Sequence, residues 1–215
     1  SRECDAFVFV DESKMGEISN VLSNIEKTFV HEYKGVDEDI KVNIEKVNGE
    51  FEYVAFDDIT VSKIIDMLTL IPYGVSTMSM GIKGLVESSN NIGILRTVNN
   101  NIEFVCAVRS SVASRKDIIL NQIETAGRLL GGETIVTSAY PAWEFNPDSE
   151  LLKITKKVYT DFYKKEPIVE AIHAGLECGL FAEKVNGIDM ISIGPDIFDV
   201  HTPDERLKIS STEST

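Results

Sequence analysis

A chain of 215 residues, 43% hydrophobic and 26% charged, has the composition expected of a globular protein of one large or two small domains. Its formal net charge of −14 repels a phosphate backbone, which argues against a nucleic-acid partner. No run of about 18 apolar residues is present to span a membrane, so no membrane partner is expected. The three cysteines, Cys4, Cys106 and Cys178, are odd in number and far apart, the usage of reduced thiols in a cytoplasmic protein rather than of a disulfide scaffold.

The first element expected is a strand over residues 5–11, rich in Phe and Val and without a preceding cap or turn. Ser13 then opens a helix in which Met15, Ile18, Val21, Leu22, Ile25 and Phe29 recur at helical spacing until Gly35. Residues 40–47 alternate apolar and polar and predict a half-buried strand. A second helix is expected over 57–71, closed by Pro72, and residues 73–91 are the least regular stretch. Residues 91–98 and 102–110 flank Asn99-Asn100-Asn101 and predict a hairpin, because Asn tolerates the positive φ of tight turns. A helix over 114–130 ends at Gly131-Gly132, and a strand is expected over 133–140.

The order strand, helix, strand thus occurs twice, which reads either as a duplicated β-α-β half of an open-faced α+β sandwich or as coincidence. Pro141 and Asn146-Pro147-Asp148 mark a boundary. A helix over 149–163, a strand over 168–172, a helix through 175–181 and a strand over 189–193 then suggest part of a parallel α/β layer. Both ends read as interrupted. The chain opens inside a strand-like run, and Ser210-Ser211-Thr212-Glu213 has the S/T-x-x-E form that precedes a helix, with two residues left after it.

Chemistry-bearing residues are few. A zinc site takes three or four ligands, yet the histidines number three, His31, His173 and His201, and neither H-E-x-x-H nor C-x-x-C occurs. His31 reads as a solvated residue at a helix end. His201 follows the apolar run 190–193 in a loop stiffened by Thr202 and Pro203, and is either a metal ligand or an ordinary loop histidine. His173 precedes Gly175 in a strand-to-helix turn whose glycines serve either ligand approach or packing. Cys178 reads as a small buried side chain rather than a nucleophile. Arg109 closes an apolar strand and is either a clamp for a carboxylate or one half of a surface ion pair. Asp57-Asp58 and Asp204-Glu205 sit at helix or turn starts, where acids complement backbone N–H groups.

The segments AIHAGLECGLF (171–181), DMISIGP (189–195) and HTPDE (201–205) resemble the C-terminal signature of bacterial aminoacyl-histidine (Xaa-His) dipeptidases, which are carnosinase-like di-zinc exopeptidases. VRSS (108–111), the Asn91 to Gly93 segment and AYPAW (139–143) extend the resemblance in order along nearly the whole chain. The resemblance implies an α/β fold class: an α+β lid of ferredoxin-like β-α-β halves in residues 1–140, then a partial α/β catalytic layer in residues 141–215 that completes a split catalytic domain. It implies that His201 is a metal ligand and Arg109 the carboxylate clamp, with Gly175, Leu176, His173 and Glu177 near bound substrate. The family's cofactor is zinc, two ions per enzyme, and its substrate a dipeptide hydrolysed by metal-activated water. The remaining ligands, the general base and a lid histidine belong to an upstream catalytic segment, so no catalytic residue is expected within this chain, which would be inactive alone. A cytoplasmic setting and pairing of two copies through the lid are further expectations. The competing readings are a non-catalytic binding or dimerisation module and a small self-sufficient hydrolase.

Overall fold

The computed structural model describes residues 4–37, 39–47, 54–171, 177–200, 202–213 and 215. The chain packs as two units, residues 1–62 and 63–215. In the first, Asp11 caps the entry to helical structure by accepting hydrogen bonds from the Ser13 N–H at 2.9 Å and the Ser13 hydroxyl at 2.7 Å, which hold its carboxyl below the usual range. A 3-10 turn at Glu12–Lys14 leads into α1, Met15–Glu32. The Glu26 carboxylate of α1 accepts the Val42 N–H at 2.8 Å, tying the following segment to the helix. No residue of α1 is buried. The strands expected over 5–11 and 40–47 are not formed, because a strand requires a continuous ladder and neither run joins one among the described residues.

Helix α2, Asp58–Leu70, starts on Asp57, whose Oδ1 accepts the Thr60 N–H at 2.7 Å. Its acidic pair is thus a helix start, as the sequence suggests. The second unit is built on an antiparallel sheet in the order β1-β2-β3, with β1 at Gly74–Met78, β2 at Val86–Val98 and β3 at Asn101–Ser110. The stretch expected to be irregular therefore contains a whole strand and the beginning of another. Its Gly, Ser and Met content hides this, since such residues carry little strand signal. The β2-β3 turn follows expectation, with Asn99 at φ 49° and Asn100 at φ 63°.

Helix α3, Ala113–Leu130, lies across the sheet and buries Ile119, Ile123 and Ala126. Ile71 joins Ile119 and Ile123 in the core, against which Met67, Ile92, Phe104, Cys106 and Val108 pack. Burial pushes the Cys106 thiol up, and the Asn90 side chain partly offsets it. Buried Asn90 donates from Nδ2 to the Pro72 carbonyl at 2.7 Å, fastening β2 to the end of α2. Gly131 ends α3 in the left-handed region at φ 83°, and the Gly132 N–H reaches back to the Gly127 carbonyl at 2.7 Å.

Helix α4, Glu150–Tyr163, is capped by Ser149, whose Oγ accepts the Leu152 N–H at 3.0 Å. Asp189 from a distant segment accepts the Leu151 N–H at 2.8 Å. Helix α5, Glu177–Lys184, approaches residue 141 so closely that a Cβ on Gly179 would stand 2.7 Å from the Pro141 carbonyl oxygen. A two-stranded ladder, β4 at Ile197–Phe198 and β5 at Arg206–Leu207, precedes α6 at Ile209–Thr212. The first three residues of the Ser210 to Glu213 box lie in α6 themselves. The Ser211 N–H there is taken by the Lys208 carbonyl at 3.0 Å. The strands expected over 133–140 and 189–193 are not formed, again for want of a ladder among the described residues; of the strand expected over 168–172, residues 168–171 join no ladder and residue 172 lies outside the described residues. The observed content is mixed helices with a small antiparallel sheet, α+β in kind.

Two outcomes are expected. Ile119→Ala removes a side chain that is 2% exposed, and should cost about 2–5 kcal/mol. Urea unfolding with an unchanged slope and a lowered midpoint would show it, and an unmoved midpoint would refute the placement of the core. The second concerns Asp189, whose carboxyl is held low chiefly by the Leu151 N–H and then by Ser149. A depressed carboxyl stabilises above its unfolded value, about 3.9, and that contribution is lost as pH falls through the lower folded value. Exchange of the Leu151 amide should therefore accelerate in that acidic window in the wild type and lose this step in Asp189→Asn.

Candidate functional site

Period-two alternation along β3 sends Phe104, Cys106 and Val108 to the core and Val105, Ala107 and Arg109 to the opposite, open face. Arg109 pairs in register with Ser89, and Ala107 with Asn91, so a hydroxyl and an amide stand on the same face beside the guanidinium. Val75 of β1, 56% exposed, lies opposite Ser89 and extends the row across all three strands. Arg115 faces Glu87 at 3.5 Å, and Arg96, toward the hairpin turn, faces Glu103 at 2.5 Å. The Arg109 guanidinium makes no hydrogen bond or ion pair among the described residues. Of the two alternatives left open, the surface ion pair is thus not formed within them. A fixed cation with its fork of donors free, on a rigid strand, can hold a carboxylate through two parallel hydrogen bonds.

A β-bulge supports this geometry. Register slips between Ile92 and Ile94, leaving Gly93 as the extra residue. On the Asn91 side of the bulge the even-numbered residues of β2 face α3; beyond it Leu95, paired with Phe104, does.

The loop after β4 is heavily cross-tied. Asp199 has φ 51°, and its carboxylate pairs with Arg206 across the β4-β5 ladder. Asp196 pairs with Lys208 at 3.2 Å just beyond the other end of the ladder. The Thr202 hydroxyl donates to the Asp199 carbonyl at 2.7 Å and accepts the Asp204 N–H at 3.2 Å. Arg206 also lies over the Phe198 ring, 5.5 Å from its centroid. Thr202 therefore caps the turn as expected. His201 itself lies outside the described residues, as do His173, Gly175 and Leu176.

Glu177 is exposed at the first position of α5, where a carboxylate complements the helix dipole. Among the described contacts no hydrogen bond or ion pair joins it to Arg109. His31 is exposed in the last turn of α1, and Cys178 is a partly buried free thiol. Among the described residues no group of three or more His, Cys, Asp or Glu could hold a metal ion. These donors alone therefore do not fit a zinc centre, which takes three or four ligands. Among the described residues, no helix is long and apolar enough to cross a membrane. Sequence reasoning does not single out Ser89, Asp199 or Arg206; the register of Ser89 with Arg109 and the pairing of Asp199 with Arg206 appear only in three dimensions.

No family model matches the chain. It is 32% identical over 211 residues to cytosol non-specific dipeptidase of Escherichia coli (strain K12), covering 98% of this chain and 43% of that protein. The crystal structure of aminoacylhistidine dipeptidase from Vibrio alginolyticus superposes with a TM-score of 0.84 at 30% identity, over 95% of this chain and 41% of that one. Aminopeptidase PepT from Bacillus cereus shares the fold at a TM-score of 0.55 and 16% identity, over 72% of this chain and 42% of that one. The chain thus spans about two-fifths of the length of the relatives it matches. Similarity in both sequence and fold along nearly every residue establishes the chain as a partial homologue of aminoacylhistidine dipeptidase and cytosol non-specific dipeptidase.

Proposed function

We propose that this chain forms part of a metal-dependent dipeptidase that hydrolyses Xaa-His dipeptides in the cytoplasm, and that it is inactive by itself. The observation that carries this reading is the superposition on aminoacylhistidine dipeptidase, at a TM-score of 0.84 over 95% of the chain. Residues 1–140 are then a lid, and residues 141–215 a returning piece of an α/β catalytic domain. The coverage of 41% of that relative supports a site completed by donors beyond these residues.

Within it, Arg109 binds the carboxylate at the C-terminal end of the dipeptide. Its strand fixes the guanidinium, and the absence of a partner among the described residues leaves its donors available without an ion pair to break. Ser89 and Asn91 flank it on the same face and fix the approach of the substrate. His201 serves as one ligand of a two-zinc centre, and the cross-ties from Asp199 to Arg206 and from Thr202 to Asp204 hold the backbone on both sides of it. His173, Gly175, Leu176 and Glu177 lie against the substrate. The scarcity of metal donors among the described residues favours one competing reading, a non-catalytic binding or dimerisation module.

In the complete protein, Arg109→Ala should raise KM about 10–100-fold for an Xaa-His dipeptide with little change in kcat, because a charge-assisted bidentate contact is lost. Steady-state kinetics test this, and an unchanged KM would remove the clamp. His201→Ala should lower bound zinc from two ions toward one, read by mass spectrometry under native conditions. Full occupancy in that variant would refute its role, and a complete wild-type protein without dipeptide hydrolysis would leave the module reading standing.

A further inference from the structure

Of the three buried polar side chains among the described residues, Ser149 caps α4 and the other two, Ser88 and Asn90, lie on β2, each 1% exposed. Burying a polar group costs stability unless it is fully hydrogen-bonded. Asn90 is not. Its Nδ2 donates to the Pro72 carbonyl at 2.7 Å, but its Oδ1 has no hydrogen-bond partner among the described residues. The residue stands opposite Val108 of β3, on the face that α3 covers. A leucine of the same branched shape would leave no acceptor unpaired there. Core stability therefore does not account for an amide at this position.

The alignment of β1 does account for it. No residue of β1 is buried, so no apolar face selects its register. Its ladder with β2 is also broken twice in five residues, with Ser76 of β1 and Glu87 of β2 left unopposed. Gly74 with Asn90 and Val75 with Ser89 are the consecutive pairs that keep one register. At that point Asn90 closes a ring. Its backbone pairs with Gly74 while its side chain holds Pro72, across the bend where Gly74 takes φ 84°. Beyond the first break, the Ser88 hydroxyl meets the Thr77 hydroxyl at 2.5 Å. Both buried polar side chains of the sheet thus engage β1 or its approach. A buried amide that fixes alignment at a cost in stability has precedent in the single asparagines that set coiled-coil register.

We propose that Asn90 is a positioning residue, a pin that holds β1 in the register setting Val75 beside Ser89 and Arg109 on the open face. The pin itself rests on the sheet alone; its bearing on substrate rests on the dipeptidase reading. Ser89 lies between the outer strands, paired with Val75 on one side and Arg109 on the other, so a shift of β1 reaches the guanidinium through a single residue. Slipped by one position, β1 would set Gly74 or Ser76 opposite Ser89 and remove the apolar side chain from that row. Asn90 touches no substrate, being buried on the other face; it acts through β1 and Ser89.

Two substitutions test this. Asn90→Leu keeps the branched shape without the amide, and Asn90→Val removes the amide with a smaller side chain that cannot overpack. In the 215-residue chain both should melt within about 3 °C of the wild type or above it. Amide exchange of Gly74–Met78 should accelerate at least about 10-fold while that of β3 stays unchanged, and the nuclear magnetic resonance contacts between Val75 and Ser89 should weaken. In the complete protein both variants should raise KM for an Xaa-His dipeptide about 10-fold and leave kcat within about twofold, because only binding is disturbed. Unchanged exchange and unchanged Val75 to Ser89 contacts in both variants would overturn the pin. So would melting lowered by more than about 10 °C in both, which would mark Asn90 as an ordinary core residue. Faster β1 exchange with an unchanged KM would overturn the link to substrate. A complete wild-type protein that hydrolyses no dipeptide would refute the function reading instead, and accelerated β1 exchange at undiminished melting would still uphold the pin.

Discussion

The pairing of β2 with β3 decides the chemistry of the second unit. Because side chains alternate strictly, the contacts that seat Phe104, Cys106 and Val108 under α3 also oblige Arg109 to stand on the other face. A one-residue slip of β3 would bury a guanidinium and expose the core, so packing energy enforces the orientation of the cation. Gly93 adds a second control. Its bulge changes which residues of β2 face inward, allowing Ile92 and Leu95 both to point at the helix while Asn91 stays beside Ala107 on the open face.

That core is small for the length of chain. Ile71, Ile119, Ile123 and Ala126 are its buried hydrophobic residues among those described, and the ion pairs elsewhere are solvent-exposed contacts of little individual worth. What holds the outlying segments is a set of local devices: the Asp11 cap, Ser149 at the head of α4, Gly131 at the foot of α3, and the two acid-base pairs at the ends of the β4-β5 ladder. Each satisfies backbone groups or fixes a turn, and none substitutes for buried area.

The longer helices are legible in the sequence to within a few residues at each end, because caps, glycine stops and period-3.6 patterns are local, whereas the short α6 is not. Ser149 and Gly131 signal boundaries and form them. The hairpin is equally legible through Asn99 and Asn100, whose backbone does take positive φ. Strands are not. Residues 133–140 and 189–193 have strand composition, but a ladder depends on a neighbour that no single segment encodes, and β1 escapes notice because Gly, Ser and Met signal strand so weakly. Arg109 is legible as a residue of interest by its position at the end of an apolar run, while its companions Ser89 and Asn91 need the register. His201, His173, Gly175 and Leu176, being outside the described residues, stand on resemblance and on the ties observed around them.

The Asn99-Asn100 turn has a consequence for the order in which the molecule forms. It joins two strands that meet next to one another in the chain, and α3 follows directly on β3, so the hairpin and its covering helix close only short loops. Such low contact order favours rapid assembly, with hairpins closing in microseconds. During synthesis, the face bearing Arg109 can therefore be complete as soon as Leu130 has cleared the ribosome, while α4 is still to emerge.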